Sequence, residues 1–574
     1  MYVTEVVRPY ANGKSSRCIL LRESYRENGK VKNRTLANLS ALPVAAIGAI
    51  KQVLRQPPQS RASPSVQAAP SAVESAVAPV VVIEQGLSIG AVATVYQVAQ
   101  KLGIAQVLGR SRQGKLALWQ VIARVIQPGS CLASVRLARE HAGCDVLRLR
   151  DGFCEDDLYA NLAWLSARQL SLEKALFRRH SRTRVTELFL YDVTSSYLEG
   201  SHNALGAYGY NRDKKRGKPQ IVVGLLTDAE GEPLSVEVFQ GNTQDIRTLT
   251  AQVRKLADAF GCQRITLVGD RGMIKQLGIA ALHAEQFYFI SAITKAQIET
   301  LLKQELFPMT LFDQSLGEVV LEPDADQTGA DGRALRYILK RNPVRAQELA
   351  DSRQGKKAAL EQRLAEHNQK LARSSRAQVA VARRTLLSEI AKLKLKGWLT
   401  VRKRRGQRQF YLVEDPAALA AQSKLDGCYV IRTDVPAATA DAQTVHDRYR
   451  DLANVEQGFR TCKTVHLEMR PWFVTCEAST RGHALVVMLA YKIVRYLAQC
   501  WKSFDLEVVE ALEALKQITL ASVQVVGYPA YQSVPTPRPE LRQLLNAAQI
   551  ILPQTLPHLE TCVVTRKNLS ESRK

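Results

Sequence analysis

Hydrophobic and polar positions along the chain change period several times, and each change marks a different kind of element. Near the start, two alternating stretches, Cys18–Tyr25 and Lys30–Leu36, flank Asn28-Gly29. That dipeptide tolerates positive φ and suits a tight hairpin turn. Residues 56–82 are rich in Pro, Ser, Ala and Gln and poor in large apolar side chains, the composition of a flexible linker. From 83 to 184 the spacing becomes three and four, as in Val92, Val95, Ala99 and Leu102 and in Leu158, Leu162 and Leu165, which predicts a helical domain. Short apolar runs follow at Leu188–Tyr191, Gln220–Thr227, Leu234–Phe239, Ile265–Gly269 and Phe287–Ile293. Runs of this length bounded by turn residues read as strands. Helical spacing between Thr243 and Phe260 separates the third from the fourth. The predicted order is three strands, a helix, a strand, a helix and a strand, which is the order of an RNase H-like domain.

Residues 294–427 interrupt that order. They hold strand-like Gly317–Leu321 and Leu335–Leu339, long charged helices between Val344 and Leu395, and a hairpin over Trp398–Leu412 that turns at Gly406. An insertion of this size is too long for a loop and is expected to fold by itself. The core resumes at Cys428–Arg432 (428–505), with a helix from about Thr444, and residues 506–574 form a C-terminal region. The fold class expected is α/β: an RNase H-like core of mixed sheet and helices (185–293 and 428–505), a large α+β insertion, a helical domain (83–184) and an N-terminal β-hairpin module (1–55).

Charge narrows the partner. The 574 residues carry 79 Lys+Arg against 54 Asp+Glu, a net charge of +25. Such an excess points to polyphosphate, since each neutralised phosphate releases counterions. The hairpin arms hold Arg22, Arg26, Lys30, Lys32 and Arg34, readable as a DNA-contacting module or as a solvated ribbon. The ten cysteines form no Cys-x-x-Cys pair, which argues against structural zinc and for small core residues in a reducing compartment. Met1–Glu5 lacks a secretory pattern, and Ala484–Tyr491 is too short to span a bilayer before Lys492, so it reads as a buried helix. The expected location is cytoplasmic, with the nucleoid, and no membrane partner.

Two aspartates carry the chemistry. Asp192 ends the run Leu188–Tyr191, and Asp270 ends Ile265–Gly269. A carboxylate at the end of a buried strand is costly without positive compensation. Two of them, with a third from elsewhere, suit hard divalent cations. On the later helix, Leu452, Val455 and Phe459 make one apolar face, and Glu456 lies at its edge. Spacing alone leaves Glu456 either as the third acid or as a surface partner of Arg460 four residues on.

The chain here resembles the bacterial insertion-sequence DDE transposases whose RNase H-like fold is interrupted before the glutamate. The resemblance rests on Tyr191-Asp192-Val-Thr-Ser, on Gly209-Tyr-Asn-Arg-Asp-Lys through Gly224-Leu-Leu-Thr-Asp228, on Gly241-Asn-Thr, and on Val268-Gly-Asp270-Arg-Gly-Met273. A last block has the pattern Tyr, two residues, Arg, three, Glu, six, Lys. This chain gives Tyr449, Leu452, Glu456 and Lys463, so a leucine stands at the arginine position.

The resemblance implies that Asp192, Asp270 and Glu456 are catalytic and hold two Mg²⁺ ions (Mn²⁺ substituting) about 4 Å apart. It implies cleavage at the terminal inverted repeats of an element and strand transfer into target DNA, cut-and-paste transposition. Double-stranded DNA is the implied partner, with at least a homodimer when two ends are paired. Tyr449 and Lys463 are implied DNA contacts, and Arg460 neighbours them. Further candidates are Lys214, Lys215 and Arg216, in a loop that reads as a phosphate holder or a solvated basic turn, and Arg402, Lys403 and Arg404 in the inserted hairpin. Trp398 beside them reads either as a stacking surface for a displaced base or as the insertion's core. Two other functions stay open: an RNase H-like Mg-dependent endonuclease without strand transfer, and a non-catalytic DNA-binding protein of transposase descent.

Overall fold

The computed structural model describes residues 2–565 apart from 10–14, 28–29, 41, 43, 55–80, 185, 201, 214, 216, 272, 322–332, 470–471, 526–530, 558 and 560. The turn at Asn28-Gly29 and nearly all of the expected linker lie outside the described residues. The fold is mixed α/β, with a large mixed sheet and many helices. It divides into two compact units. One comprises Met1–Thr186, Val193–Gln244 and Asn454–Lys574; the other comprises Glu187–Asp192 and Asp245–Ala453. The chain therefore passes from one unit to the other inside the strand Leu188–Tyr197, immediately after Asp192.

The smaller unit is built on a sheet whose strand order is Gly317–Leu321, Leu335–Arg341, Cys428–Thr433, Tyr288–Ala292, Thr266–Gly269 and the start of Leu188–Tyr197. Its last three strands run parallel: Leu188–Tyr191 pairs with Thr266–Gly269, which pairs with Tyr288–Ser291. Parallel strands covered on both faces need apolar side chains on both faces. The run Leu188-Phe-Leu-Tyr and the run Thr266-Leu-Val-Gly are accordingly buried throughout. The Cys428–Thr433 strand then pairs antiparallel with Tyr288–Ala292 and with Leu335–Arg341. The predicted order of strands and helices from Leu188 to Ala292 is present in this chain.

The insertion does not fold wholly by itself. Its first two strands, Gly317–Leu321 and Leu335–Arg341, extend the sheet beyond Cys428–Thr433 and share a core with Ile293, Ile298 and Val430. Covering an edge in this way removes a row of unpaired backbone groups. The remainder, the helices Pro343–Arg373 and Val379–Lys392 with the hairpin Leu399–Lys403 and Phe410–Glu414, has its own core around Leu360, Leu386, Ile390 and Trp398.

In the larger unit, Gln220–Asp228 pairs antiparallel with Pro233–Gln240. The helical domain begins at Gly90; the residues before it, expected to be helical from 83, form the strand Val81–Ser88, which pairs with Thr519–Val525. Pairing with a strand more than 400 residues away overrides local spacing. The N-terminal module is a three-stranded antiparallel sheet, Tyr2–Pro9, Ser15–Glu27 and Lys30–Asn38, packed on the helix Val44–Val53. The apolar stretch at Ala484 lies in the helix Glu477–Cys500, buried along most of its length against Glu155–Ser181, Arg112–Ile126 and Pro233–Gln240. No helix among the described residues is long and apolar enough to cross a membrane. The ten cysteines are unpaired; Cys144, Cys154 and Cys462 are buried, whereas Cys476 and Cys562 are exposed and are not the core residues expected.

Close approach of the two long helices depends on Gly482. A Cβ there would fall within the van der Waals radius of the Leu162 carbonyl oxygen. Overfilling a packed contact typically costs about 1–3 kcal/mol. Gly482→Ala is expected to lower the stability of the larger unit by that amount, read as a reduced denaturation midpoint; an unchanged midpoint would show that the helices separate freely.

Candidate active site

Strand register brings two of the expected acids together. Tyr191 pairs with Gly269 across the parallel strands Leu188–Tyr197 and Thr266–Gly269. The next residue on each strand is Asp192 and Asp270. Asp192 lies within its strand and Asp270 just past the end of the other, and the register sets their backbones side by side, about 4.8 Å apart. Asp192 is half-buried and Asp270 exposed.

The backbone after Asp270 is held by several contacts. Met273 N–H donates to the Asp270 carbonyl at 3.1 Å. Ser291 Oγ donates to the same carbonyl at 3.2 Å. Met273 and Ile274 are buried beneath it, and Arg432 donates to the Ile274 carbonyl at 3.3 Å. The exposed cations Arg271 and Lys275 flank the turn. The two oxygen-rich carboxylates suit a hard cation better than a soft one.

Glu456 lies in the larger unit, on the helix Leu452–Arg460, and is exposed. Val455 and Phe459 are buried, as the apolar face required. The expected continuous helix from Thr444 is divided into Ala442–Arg450 and Leu452–Arg460, and the chain changes unit between Ala453 and Asn454. Among the described residues no group of three or more His, Cys, Asp or Glu is gathered at metal-holding spacing. Of the three acids, the register unites the aspartates only.

Directly after the Glu456 helix comes a π-helical turn, Thr461–Val465, an irregularity frequent at functional sites. It carries Lys463. The ammonium donates to Asp213 Oδ1 at 2.7 Å and to Thr194 Oγ1 at 2.8 Å. The side chains of Lys463 and Asp213 are 11% and 2% exposed. Asp213 Oδ2 also accepts the backbone N–H of Tyr197 at 3.2 Å. Lys463, expected as a DNA contact, is thus a buried tie between this turn, the strand Leu188–Tyr197 and the loop before Gln220. Trp472 adds a second tie, its indole N–H donating to Ser196 Oγ at 2.9 Å. Burial pushes the neighbouring Cys462 thiol up to about 12, so it stays protonated in the core.

The other expected contacts are dispersed. Tyr449 is half-buried, and Arg460 is exposed. Lys215 is exposed, with its ammonium 5.7 Å from the centroid of the Tyr197 ring; Lys214 and Arg216 lie outside the described residues. Arg402, Lys403 and Arg404 are exposed on the inserted hairpin. Trp398 is 4% exposed and packs in the insertion's core, where it offers no face for stacking. Leu452, at the arginine position of the motif, is buried. Sequence reasoning assigned no role to Asp213. The available signal was one acid within the basic stretch Asn211–Lys218.

Comparison with known proteins gives two family matches. The Transposase DDE domain profile matches residues 183–493, more than half of the chain. The IS1634 family transposase N-terminal domain matches residues 5–67. No curated protein matches the sequence. Among solved structures, a piggyBac transposase synaptic complex with hairpin DNA aligns at a TM-score of 0.30 and 9% identity, over 69% of this chain and 76% of that one.

Breaking a buried ion pair from one side typically costs about 3–5 kcal/mol, while removing both charges costs less. Asp213→Asn and Lys463→Met should each lower unfolding free energy by about that much, and the double variant by less than the sum. Strict additivity in denaturant titrations would mean that the two groups do not act as a pair.

Proposed function

We propose that this chain, which belongs to the insertion-sequence DDE transposase family, cleaves DNA at the ends of its element and joins the freed 3′ ends to target DNA. The observation that carries the reading is the pairing of Tyr191 with Gly269, which sets Asp192 and Asp270 side by side within the matched family domain. Glu456 is proposed as the third acid on the strength of its motif position, seven residues before Lys463. The core is proposed to be RNase H-like, in keeping with the order of strands and helices from Leu188 to Ala292.

Asp192 and Asp270 would hold Mg²⁺, with Glu456 as the third ligand. Magnesium, when bound, lowers the pKa of a water and neutralises charge at a leaving oxygen. In the first step the water oxygen bonds to phosphorus as the P–O3′ bond breaks, which leaves a 3′-hydroxyl. In the second, that 3′-oxygen attacks a target phosphate and displaces the target's own 3′-oxygen. The aspartates need no tuned proton affinity, because they bind the cation rather than accept the proton.

The exposed Lys215, Arg402, Lys403, Arg404 and Arg460 would contact phosphates and fix the DNA's register without reading its sequence. Double-stranded ends are the proposed ligand. Pairing two ends calls for at least two copies of the chain.

The test supplies end-bearing DNA, a target plasmid and Mg²⁺. Joined products support transposition, whereas nicks alone would favour an endonuclease. Altering groups that merely support metal ligands costs about 10–100-fold. Asp192→Asn and Asp270→Asn should therefore lose more than about 100-fold in cleavage while still binding ends. Cleavage at the original rate by either variant would remove the metal assignment. Binding should weaken with salt at a log–log slope of about 0.9 per phosphate contact.

A further inference from the structure

The larger unit presents two aromatic rings in a way that loops seldom do. Tyr208 and Tyr210 are 73% and 81% exposed. They stand in the segment between the strands Leu188–Tyr197 and Gln220–Asp228. A single exposed aromatic on a loose loop needs no explanation. Here the backbone beneath the rings is fixed along its length.

Ala207 and Gln220 exchange backbone hydrogen bonds of 3.1 and 3.0 Å. The Gln220 side-chain amide donates to the Tyr210 carbonyl at 3.1 Å and to the Gly241 carbonyl at 2.8 Å. Gly209, between the tyrosines, lies so close to the Gly241 carbonyl that a Cβ would collide with it. Arg212 N–H donates to Ser195 Oγ at 2.7 Å, and Asp213 is tied to Tyr197 and Lys463. The loop is rigid while the rings it carries point to water.

A cation lies against one of the rings. The Arg212 guanidinium lies 5.6 Å from the centroid of the Tyr210 ring. Lys215 follows in sequence and is exposed, whereas Lys218 pairs with Glu199 at 2.6 Å. A rigid aromatic flanked by a cation suits an unstacked base joined to a phosphate. Bases within a duplex hide their faces, so only unpaired nucleotides can use such a ring fully. Preorganisation removes the ordering cost that a mobile loop would incur. A second copy of this chain, with a net charge of +25, is a poor electrostatic match for the same surface.

We propose that Tyr208 and Tyr210 form a stacking platform for unpaired DNA nucleotides, with Arg212 engaging the adjoining phosphate. The proposal rests on the reading of the chain as a DNA-processing transposase and adds the strand state that this loop selects.

The experiment uses the full chain with EDTA present, so that binding is read without cleavage. Two DNA ends of the same sequence are compared by fluorescence anisotropy, one blunt and one with a three-nucleotide single-stranded extension. A 2-aminopurine in the extension reports stacking. Base–aromatic stacking accounts for about a tenfold affinity change per ring. Tyr208→Ala and Tyr210→Ala should each weaken binding of the extended end by about tenfold, relieve 2-aminopurine quenching and leave blunt-end affinity unchanged. Tyr208→Phe and Tyr210→Phe should keep the wild-type preference.

Equal losses on both ends would overturn the platform in favour of a duplex-backbone contact. No loss on either would leave two solvated tyrosines and overturn it as well. Loss of self-association in the alanine variants would assign the surface to a second copy instead. Failure of the wild-type chain to cleave with Mg²⁺ would sink the catalytic reading, yet the preference for the extended end would still be measurable.

Discussion

Parallel pairing of Leu188–Tyr191 with Thr266–Gly269 is the constraint on which the site depends. A strand has a side-chain period of two, so sliding one partner by a single residue would invert its faces. Both strands are buried throughout, and such a slip would disturb the packing of Phe189, Leu190, Leu267 and Val268. The apolar core thereby fixes the position of two polar residues that it does not contain. Asp192 and Asp270 directly follow the paired positions Tyr191 and Gly269, so the register sets their backbones side by side.

The larger unit solves a different problem, that of seating the Glu456 helix. Its apolar face supplies adhesion through Val455 and Phe459 but little orientation about the helix axis. Orientation comes from polar ties. Lys463 reaches Asp213 and Thr194, and Trp472 reaches Ser196. A buried ion pair is weak evidence for stability, because desolvation consumes most of the attraction. Its value lies in geometry, since an ammonium with three donor directions fits one arrangement of acceptors well. A π-turn places Lys463 at this point, and an α-helical continuation would send the side chain elsewhere.

The parts of this structure legible in sequence are those determined locally. The buried parallel strands were readable from their unbroken apolar runs, and the aspartates from the places where those runs stop. The helix Glu477–Cys500 was readable from Ala484–Tyr491. What escaped depended on distant partners. Val81–Ser88 is a strand because Thr519–Val525 pairs with it, and no window around residue 83 contains that information. The insertion's strands join the sheet because Cys428–Thr433 offers an edge, which spacing within 294–427 does not reveal. Asp213 stood among cations and drew no reading of its own; its buried partner is Lys463, 250 residues later. Trp398 beside a basic run read either as a stacking surface or as the insertion's core, and in the structure the ring fills that core.

These contrasts separate the cations of the chain into two kinds. Lys463 and Lys492 are buried, and each bonds to groups of the protein itself, Lys492 to the Pro233 carbonyl at 2.9 Å. Arg271, Lys275, Arg402, Lys403, Arg404 and Arg460 are exposed, as is Lys215 beside the tyrosine loop. Only exposed cations can release counterions on meeting a polyanion, because a buried ammonium is already neutralised by its own fold. Net charge alone therefore overstates the surface available to DNA. The relevant quantity is the exposed fraction and its placement, beside Asp270, on the inserted hairpin and around rigid aromatic rings.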